Sequence, residues 1–250
     1  MDKNDIDLSG KVAVITGGGG GIGRAIALCM ADMGADIAII ESIPERCEQM
    51  RELVGQRGRQ VLAIECNVME ADKLREAMDA IKERFGRIDI LVNNAGGVAP
   101  KAFVDLKEAS FRRHIELNLV STVIATQMAA QLMIERGEGG AIVNVSSIEG
   151  SRAAPMYAVY AACKAGVNNL TRTLALELGD HGIRVNTIAP DYTVTPGLRG
   201  NVTGPVDEST WHTPSEAQED SIRRRTPLGR GGIDIEVGKL AVFLASPMSS

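Results

Sequence analysis

The chain has 250 residues, 44% of them hydrophobic and 24% charged, with a formal net charge of −5. That length suits one large α/β domain or two small ones and is ample for a buried core. The acidic balance argues against nucleic acid or an anionic membrane as a main partner. No apolar run reaches transmembrane length, and the polar, acidic residues 1–8 do not read as a signal peptide.

Short apolar runs alternate with longer helical patterns. Residues 11–16 (KVAVIT) read as a strand. They lead into a glycine-rich turn, Thr16-Gly17-Gly18-Gly19-Gly20-Gly21-Ile22-Gly23, and then a helix over 22–33. In that context the glycines let the backbone turn tightly and approach a pyrophosphate seated at the helix N-terminus. The second strand, 36–41, ends on Glu41, 18 residues after Gly23, where a carboxylate would accept hydrogen bonds from a ribose 2′-hydroxyl. The same carboxylate would repel a 2′-phosphate. No basic residue sits in the turn before Gly21, and Ser42 follows Glu41. NAD is therefore favoured over NADP.

A helix over 45–57, a strand over 60–65, a helix over 71–85 and a strand over 88–92 follow, then a long helix over 108–135, a strand over 141–146, a helix over 157–178 and a strand over 183–188. Valine- and isoleucine-rich strands of this kind are buried on both faces, as in parallel sheets. Strand–helix alternation implies right-handed crossovers and a doubly wound α/β sheet of Rossmann type, with helices on both faces, in a single domain. The helix over 157–178 carries Tyr160 and Lys164, four residues apart and so on one face. A phenol titrates near pH ~10. A neighbouring cation favours the phenolate and would tune Tyr160 as an acid or base near neutral pH. Residues 193–226 break the rhythm with Pro, Gly, Ser, Thr and the only tryptophan, Trp211, and read as a lid or binding loop.

Four scattered cysteines without metal spacing fit reduced thiols in a cytoplasmic protein. His114, His181 and His212 form no ligand motif, so no metal is expected. Arg223-Arg224-Arg225, among acidic neighbours, reads as a solvated helix face.

With the glycine turn, Tyr160 and Lys164 in place, the chain resembles a classical short-chain dehydrogenase/reductase over nearly its whole length. Asn93-Asn94-Ala95-Gly96 follows the fourth strand, Asn118 lies on the next helix, and Ser147 precedes Tyr160 by 13 residues. Val185-Asn186-Thr187-Ile188-Ala189-Pro190, Pro227-Leu228-Gly229-Arg230 and residues 240–246 complete the pattern. The resemblance implies that Tyr160 exchanges a proton with the reacting oxygen. Lys164 would lower the Tyr160 pKa and bind the nicotinamide ribose, Ser147 would hydrogen-bond the reacting oxygen, and Asn118 would support a proton-relay water. It also implies a dinucleotide lined by Gly17, Gly21, Ile22, Gly23, Asn67, Val68, Asn94, Ala95, Gly96, Pro190, Thr193 and Thr195. Tyr157, Ser146 and Cys163 are read as structural.

Three departures stand out. Asn67 replaces the family's usual Asp near the adenine, Asp191 replaces the glycine after Pro190, and the sequence stops about one strand short of the usual family length. The implied activity is NAD-dependent interconversion of a secondary alcohol and a ketone. Residues 97–103, 148–157 and the lid would wall an alicyclic or steroid-like substrate. A 3-oxoacyl carrier-protein reductase using NADPH and a non-catalytic dinucleotide sensor are the alternatives. The resemblance further implies a homotetramer, or failing that a dimer.

Overall fold

The protein is described by a computed structural model covering residues 3–250. Six strands, β1 (Val12–Thr16), β2 (Asp36–Glu41), β3 (Val61–Glu65), β4 (Ile90–Asn93), β5 (Gly140–Val145) and β6 (Ile183–Ile188), form one sheet in the order β3-β2-β1-β4-β5-β6. Every pairing is parallel. Side chains alternate across each strand. Ala13 and Ile15 of β1 therefore enter one core, while Val14 enters the other. The first core is closed by α1 (Gly21–Asp32), α2 (Pro44–Gly55) and α8 (Asp234–Ala245). The second is closed by α3 (Ala71–Phe85), α5 (Ser121–Arg136) and the C-terminal part of α6 (Ala158–Glu177). This is the doubly wound, single-domain arrangement that the alternating pattern implies.

Strand order reverses between β1 and β4, so their C-terminal ends diverge and open a crevice. All six strands run the same way. The residues that follow them therefore gather on one edge of the sheet: Gly17 after β1, Glu41 at the end of β2, Asn67 after β3, Asn94 after β4, Ser147 after β5 and Pro190 after β6.

Beneath that edge a buried polar ladder ties α6 to the sheet. Asn93 Nδ2 donates to Thr126 Oγ1 and Asn144 Oδ1, each at 2.8 Å, and Asn144 Nδ2 donates to Thr171 Oγ1 at 2.9 Å. Thr187 Oγ1 donates to the same Thr171 hydroxyl at 2.8 Å. Thr171 lies two turns along α6 from Lys164, so the ladder sets the height of Lys164 over the sheet.

The helix expected over 108–135 is interrupted. It comprises α4 (Glu108–Ile115), a π-turn (Glu116–Val120) and α5. As a whole it is long and apolar enough to cross a membrane by length and composition, which corrects the reading that no run reaches that length. More than half of its apolar window is buried inside the protein, and α5 is a core helix. The segment after β6 contains β7 (Thr193–Val194), which pairs in parallel with β8 (Gly232–Ile233), and α7 (Glu216–Arg225). α7 opens with a Ser215–Gln218 capping box. α8 packs closely on α1 because Gly238 has no side chain. A Cβ there would meet Cys29 Sγ at 2.7 Å.

Candidate active site

The crevice is a cleft of about 1400 Å³. Its floor at one end is the glycine turn. Gly17 (φ 62°) and Gly21 (φ 50°) adopt the left-handed backbone that favours glycine. Gly23 packs so tightly against the Gly17 carbonyl and Asn94 Nδ2 that a side chain there would displace backbone. α1 starts without any side-chain cap, and its first residues Gly21 and Ile22 line the cleft. Uncapped N–H groups and the helix dipole suit an anion, so a dinucleotide pyrophosphate fits the chemistry of this end. Asn94 holds the turn in place, with Nδ2 donating to the carbonyls of Thr16 and Gly17 at 3.0 Å each.

Glu41 is 6% exposed. Oε2 accepts from Gly19 N at 3.0 Å, and Oε1 accepts from the backbone N–H groups of Ser42 (2.8 Å) and Ile43 (3.1 Å). These bonds fix the carboxylate at the cleft wall. Arg46 stands beside it, which the sequence reading missed. Its Nη1 occupies the space over Gly20, 2.7 Å from where a Cβ would lie. No local signal marks Arg46, because its partners lie more than 150 residues away. Asn67, Val68, Ala95, Gly96, Pro190, Thr193 and Thr195 all line the same cleft.

At the other end stand Ser147, Tyr160 and Lys164. Lys164 is 5% exposed. Its Nζ donates to the Val145 carbonyl at 2.8 Å and lies 5.7 Å from the centre of the Tyr160 ring. Gly96 makes room for this ammonium, since a Cβ there would sit 3.4 Å from Nζ. Burial pushes the Lys164 pKa down to about 8. Tyr160 moves the opposite way from the sequence expectation. Burial raises its pKa, the Ser147 hydroxyl draws it down, and the Glu149 carboxylate raises it further. The phenol is thus held protonated at neutral pH, and the carboxylate that tunes it is paired with Arg152 at 2.7 Å.

Replacing Glu149 by glutamine removes that negative charge and frees the Arg152 guanidinium. Both changes favour the phenolate. The pH profile of alcohol oxidation by Glu149→Gln is expected to shift to lower pH, measured as kcat against pH beside the parent protein. An unmoved profile would show that the Glu149 charge does not reach the phenol.

Asn118 is fully buried in the π-turn. Its Nδ2 donates to the carbonyls of Gly97 and His114, and its Oδ1 accepts from Gly97 N, all at 3.0 Å. Both amide hydrogens are thus committed to backbone, and the side chain pins the loop after β4. Asn118 and Gly23 do not line the cleft themselves; both shape it from behind.

The substrate side differs from expectation in three respects. Trp211 is not among the residues lining the cleft. Arg225, read as part of a solvated face, does line it, together with Arg113, Arg152 and Asp191, so the wall is more charged than the sequence suggested. Tyr157, read as structural, also lines the cleft, and Met156 before it holds a left-handed φ of 74°, a strained backbone for a side-chain-bearing residue. Ser146 also borders the cleft, but its hydroxyl is turned to backbone, and Cys163 is buried. Ser146 Oγ donates to the Lys164 carbonyl at 3.1 Å, and burial raises the Cys163 thiol pKa, away from nucleophilic use. Among the described residues no cluster of His, Cys, Asp and Glu could hold a metal.

A cleft with a glycine turn and an uncapped helix start at one end and a Tyr–Lys pair at the other suits a dinucleotide-dependent oxidoreductase, and comparison with known proteins names the family. Residues 11–204 match the family model described as short chain dehydrogenase. The chain is 33% identical to 7alpha-hydroxysteroid dehydrogenase of Escherichia coli, covering 100% of this chain and 92% of that protein. It is 38% identical to 3-oxoacyl-acyl-carrier-protein reductase FabG of Thermotoga maritima, covering 97% and 93%. A solved structure of 7alpha-hydroxysteroid dehydrogenase complexed with NADH and 7-oxo glycochenodeoxycholic acid superposes with a TM-score of 0.90 at 32% identity, over 100% of this chain and 92% of that one. The protein belongs to the short-chain dehydrogenase/reductase family, oxidoreductases that act on alcohol and ketone groups of small molecules with nicotinamide dinucleotides.

Proposed function

We propose that the protein is an NAD-dependent dehydrogenase that interconverts a secondary alcohol and a ketone, with Tyr160 as the proton-transfer group. The carrying observation is the placement of Tyr160, Ser147 and Lys164 at one end of a single cleft whose other end holds an uncapped helix N-terminus and the fixed Glu41 carboxylate. The bound nicotinamide would supply or accept the hydride. The chain's own residues do the rest. Gly17, Gly21 and Ile22 present backbone to the pyrophosphate, and Glu41 accepts from the adenosine ribose. Asn67, Val68, Asn94, Ala95, Gly96, Pro190, Thr193 and Thr195 complete the dinucleotide lining. Ser147 holds the reacting oxygen, Tyr160 moves its proton, and Lys164 binds the nicotinamide ribose.

A hydroxylated alicyclic or steroid-like compound is the proposed substrate class. The likeness to a hydroxysteroid dehydrogenase supports it. A second reading, an NADPH-dependent 3-oxoacyl reductase, draws on the FabG likeness and on the Arg46 guanidinium beside Glu41, which offsets the charge that would repel a 2′-phosphate. The protein is proposed to work in the cytoplasm as a homotetramer. Exposed Phe103, Val104, Leu176 and Leu228, each more than 70% accessible, offer surface for self-association.

The test is to follow nicotinamide absorbance with NAD or NADP and a panel of steroid, alicyclic, sugar and aliphatic secondary alcohols. Faster reduction of NAD supports the reading. A clear NADP preference with acyl-thioester substrates would replace it with the second.

A further inference from the structure

The loop between β7 and α7 does not hang free over the cleft. It is tied to α2 on the far side. Arg46 Nε donates to the Gly204 carbonyl at 3.0 Å and Nη2 to the Asn201 carbonyl at 2.8 Å. One turn further along α2, Gln49 makes a reciprocal pair with Val206. Its Nε2 donates to the Val206 carbonyl at 3.2 Å, and its Oε1 accepts the Val206 N–H at 2.8 Å. The loop that receives these bonds is organised around Asn201. The Asn201 amide donates to the carbonyls of Thr203 and Pro205 at 3.1 Å each, and its Oδ1 accepts from Asp207 N at 3.2 Å. At its near end Asn201 N donates to the Pro196 carbonyl at 2.9 Å.

The position of the tie matters more than its strength. Arg46 covers Gly19 and Gly20 of the phosphate turn, and Pro196, Leu198 and Val202 of the loop line the cleft. The loop therefore crosses from the Thr195 side to α2 at the end that carries the glycine turn and Glu41, away from Tyr160. We propose that residues 196–206 form a strap over the dinucleotide and that Arg46 and Gln49 are the positioning residues that latch it, so that the dinucleotide leaves only after the latch opens. This rests on the dinucleotide reading of the cleft. Arg46 acts through its shape as much as its charge, because two carbonyls at different heights on the loop are met by one rigid guanidinium. Gln49 does not line the cleft and reaches only the strap.

The experiment is the release rate of NADH, followed by stopped-flow loss of its fluorescence, for the parent protein, Gln49→Ala, Arg46→Lys, and the double variant Arg46→Ala/Gln49→Ala. Release should quicken several-fold in Gln49→Ala and tenfold or more in the double variant, with KM for the dinucleotide rising more than kcat falls. Arg46→Lys should behave like a loss of latch rather than a rescue; full rescue by lysine would mark a simple charge contact to phosphate and overturn the latch. Limited trypsin cleavage after Arg199, without dinucleotide, provides a readout independent of binding. It should quicken in the same order. Unchanged release and unchanged cleavage in the double variant would overturn the proposal. Absence of NADH and NADPH binding in the parent protein, with cleavage still latch-dependent, would instead overturn the reading of the cleft and with it the gating role.

Discussion

Replacing Tyr160 by phenylalanine is expected to lower kcat for alcohol oxidation by roughly 10²- to 10⁴-fold, the range that a positioned acid or base contributes, while NADH still binds with near-parental affinity. Three other titratable groups in and around the cleft are otherwise engaged. The His114 ring is occupied on both nitrogens, with Nδ1 at 2.9 Å from the Ser110 carbonyl and Nε2 accepting from Ala99 N at 3.3 Å. The Glu149 carboxylate is bound by Arg152, and the Cys163 thiol is buried with a raised pKa. The Tyr160 hydroxyl is bonded to Ser147, at the end of the cleft that also holds Lys164. Phenylalanine keeps the ring and its place 5.7 Å from the Lys164 ammonium, so the substitution removes the proton without reshaping the site. The decisive comparison is turnover against NADH affinity by fluorescence titration. Activity within tenfold of the parent would remove Tyr160 from the chemistry.

The division between what the sequence reveals and what it conceals follows the range of the interactions involved. β2 and β6 were read with the bounds they have, because strands buried on both faces leave an unbroken apolar run bounded by charge or glycine. Glu41, Tyr160 and Lys164 were legible for a related reason: each sits at a strand end or on a helix face whose position follows from local pattern, whereas Ser147 was reached only through the family resemblance and its interval to Tyr160. β4 begins two residues later than expected. The buried Asp89 carboxylate there accepts Val12 N at 2.9 Å and pairs with Arg87, ending the preceding turn rather than starting a strand. The π-turn was hidden. Nothing in ELNLV breaks a helix, and the distortion accompanies the Asn118 amide reaching Gly97, 21 residues away. α8 was seen only as part of a closing motif, since Leu240–Ala245 is apolar on nearly every side and lacks a helical stripe. Arg46 is the sharpest case. In sequence it is one more charge on a polar helix, and only the folded loop 155 to 158 residues later gives it partners.

Lys164→Met should make the protein more stable and inactive together. Lys164 is 5% exposed and its ammonium has one protein partner, the Val145 carbonyl. Burial lowers its pKa from 10.5 to about 8. The folded protein thus binds this proton less tightly than the unfolded chain does. Between about pH 8 and 10.5 the unfolded state holds more protons, so stability rises with pH across that window, and below it the full cost of the buried charge is present. At about 1.4 kcal/mol per pKa unit that cost is roughly 3 kcal/mol at neutral pH. Losing the hydrogen bond to Val145 returns about 1 kcal/mol. Methionine follows the lysine stem without the charge, so a net gain of about 2 kcal/mol is expected, or roughly 4–8 °C in Tm for a chain of this size. The gain should shrink as the melt is repeated toward pH ~10, where unfolded lysines also begin to lose their protons. A lower Tm for Lys164→Met at neutral pH would mean that the ammonium is better solvated than its burial indicates. A higher one, with turnover lost, would show that the site retains Lys164 against the stability of the fold, as expected of a group held for function rather than for packing.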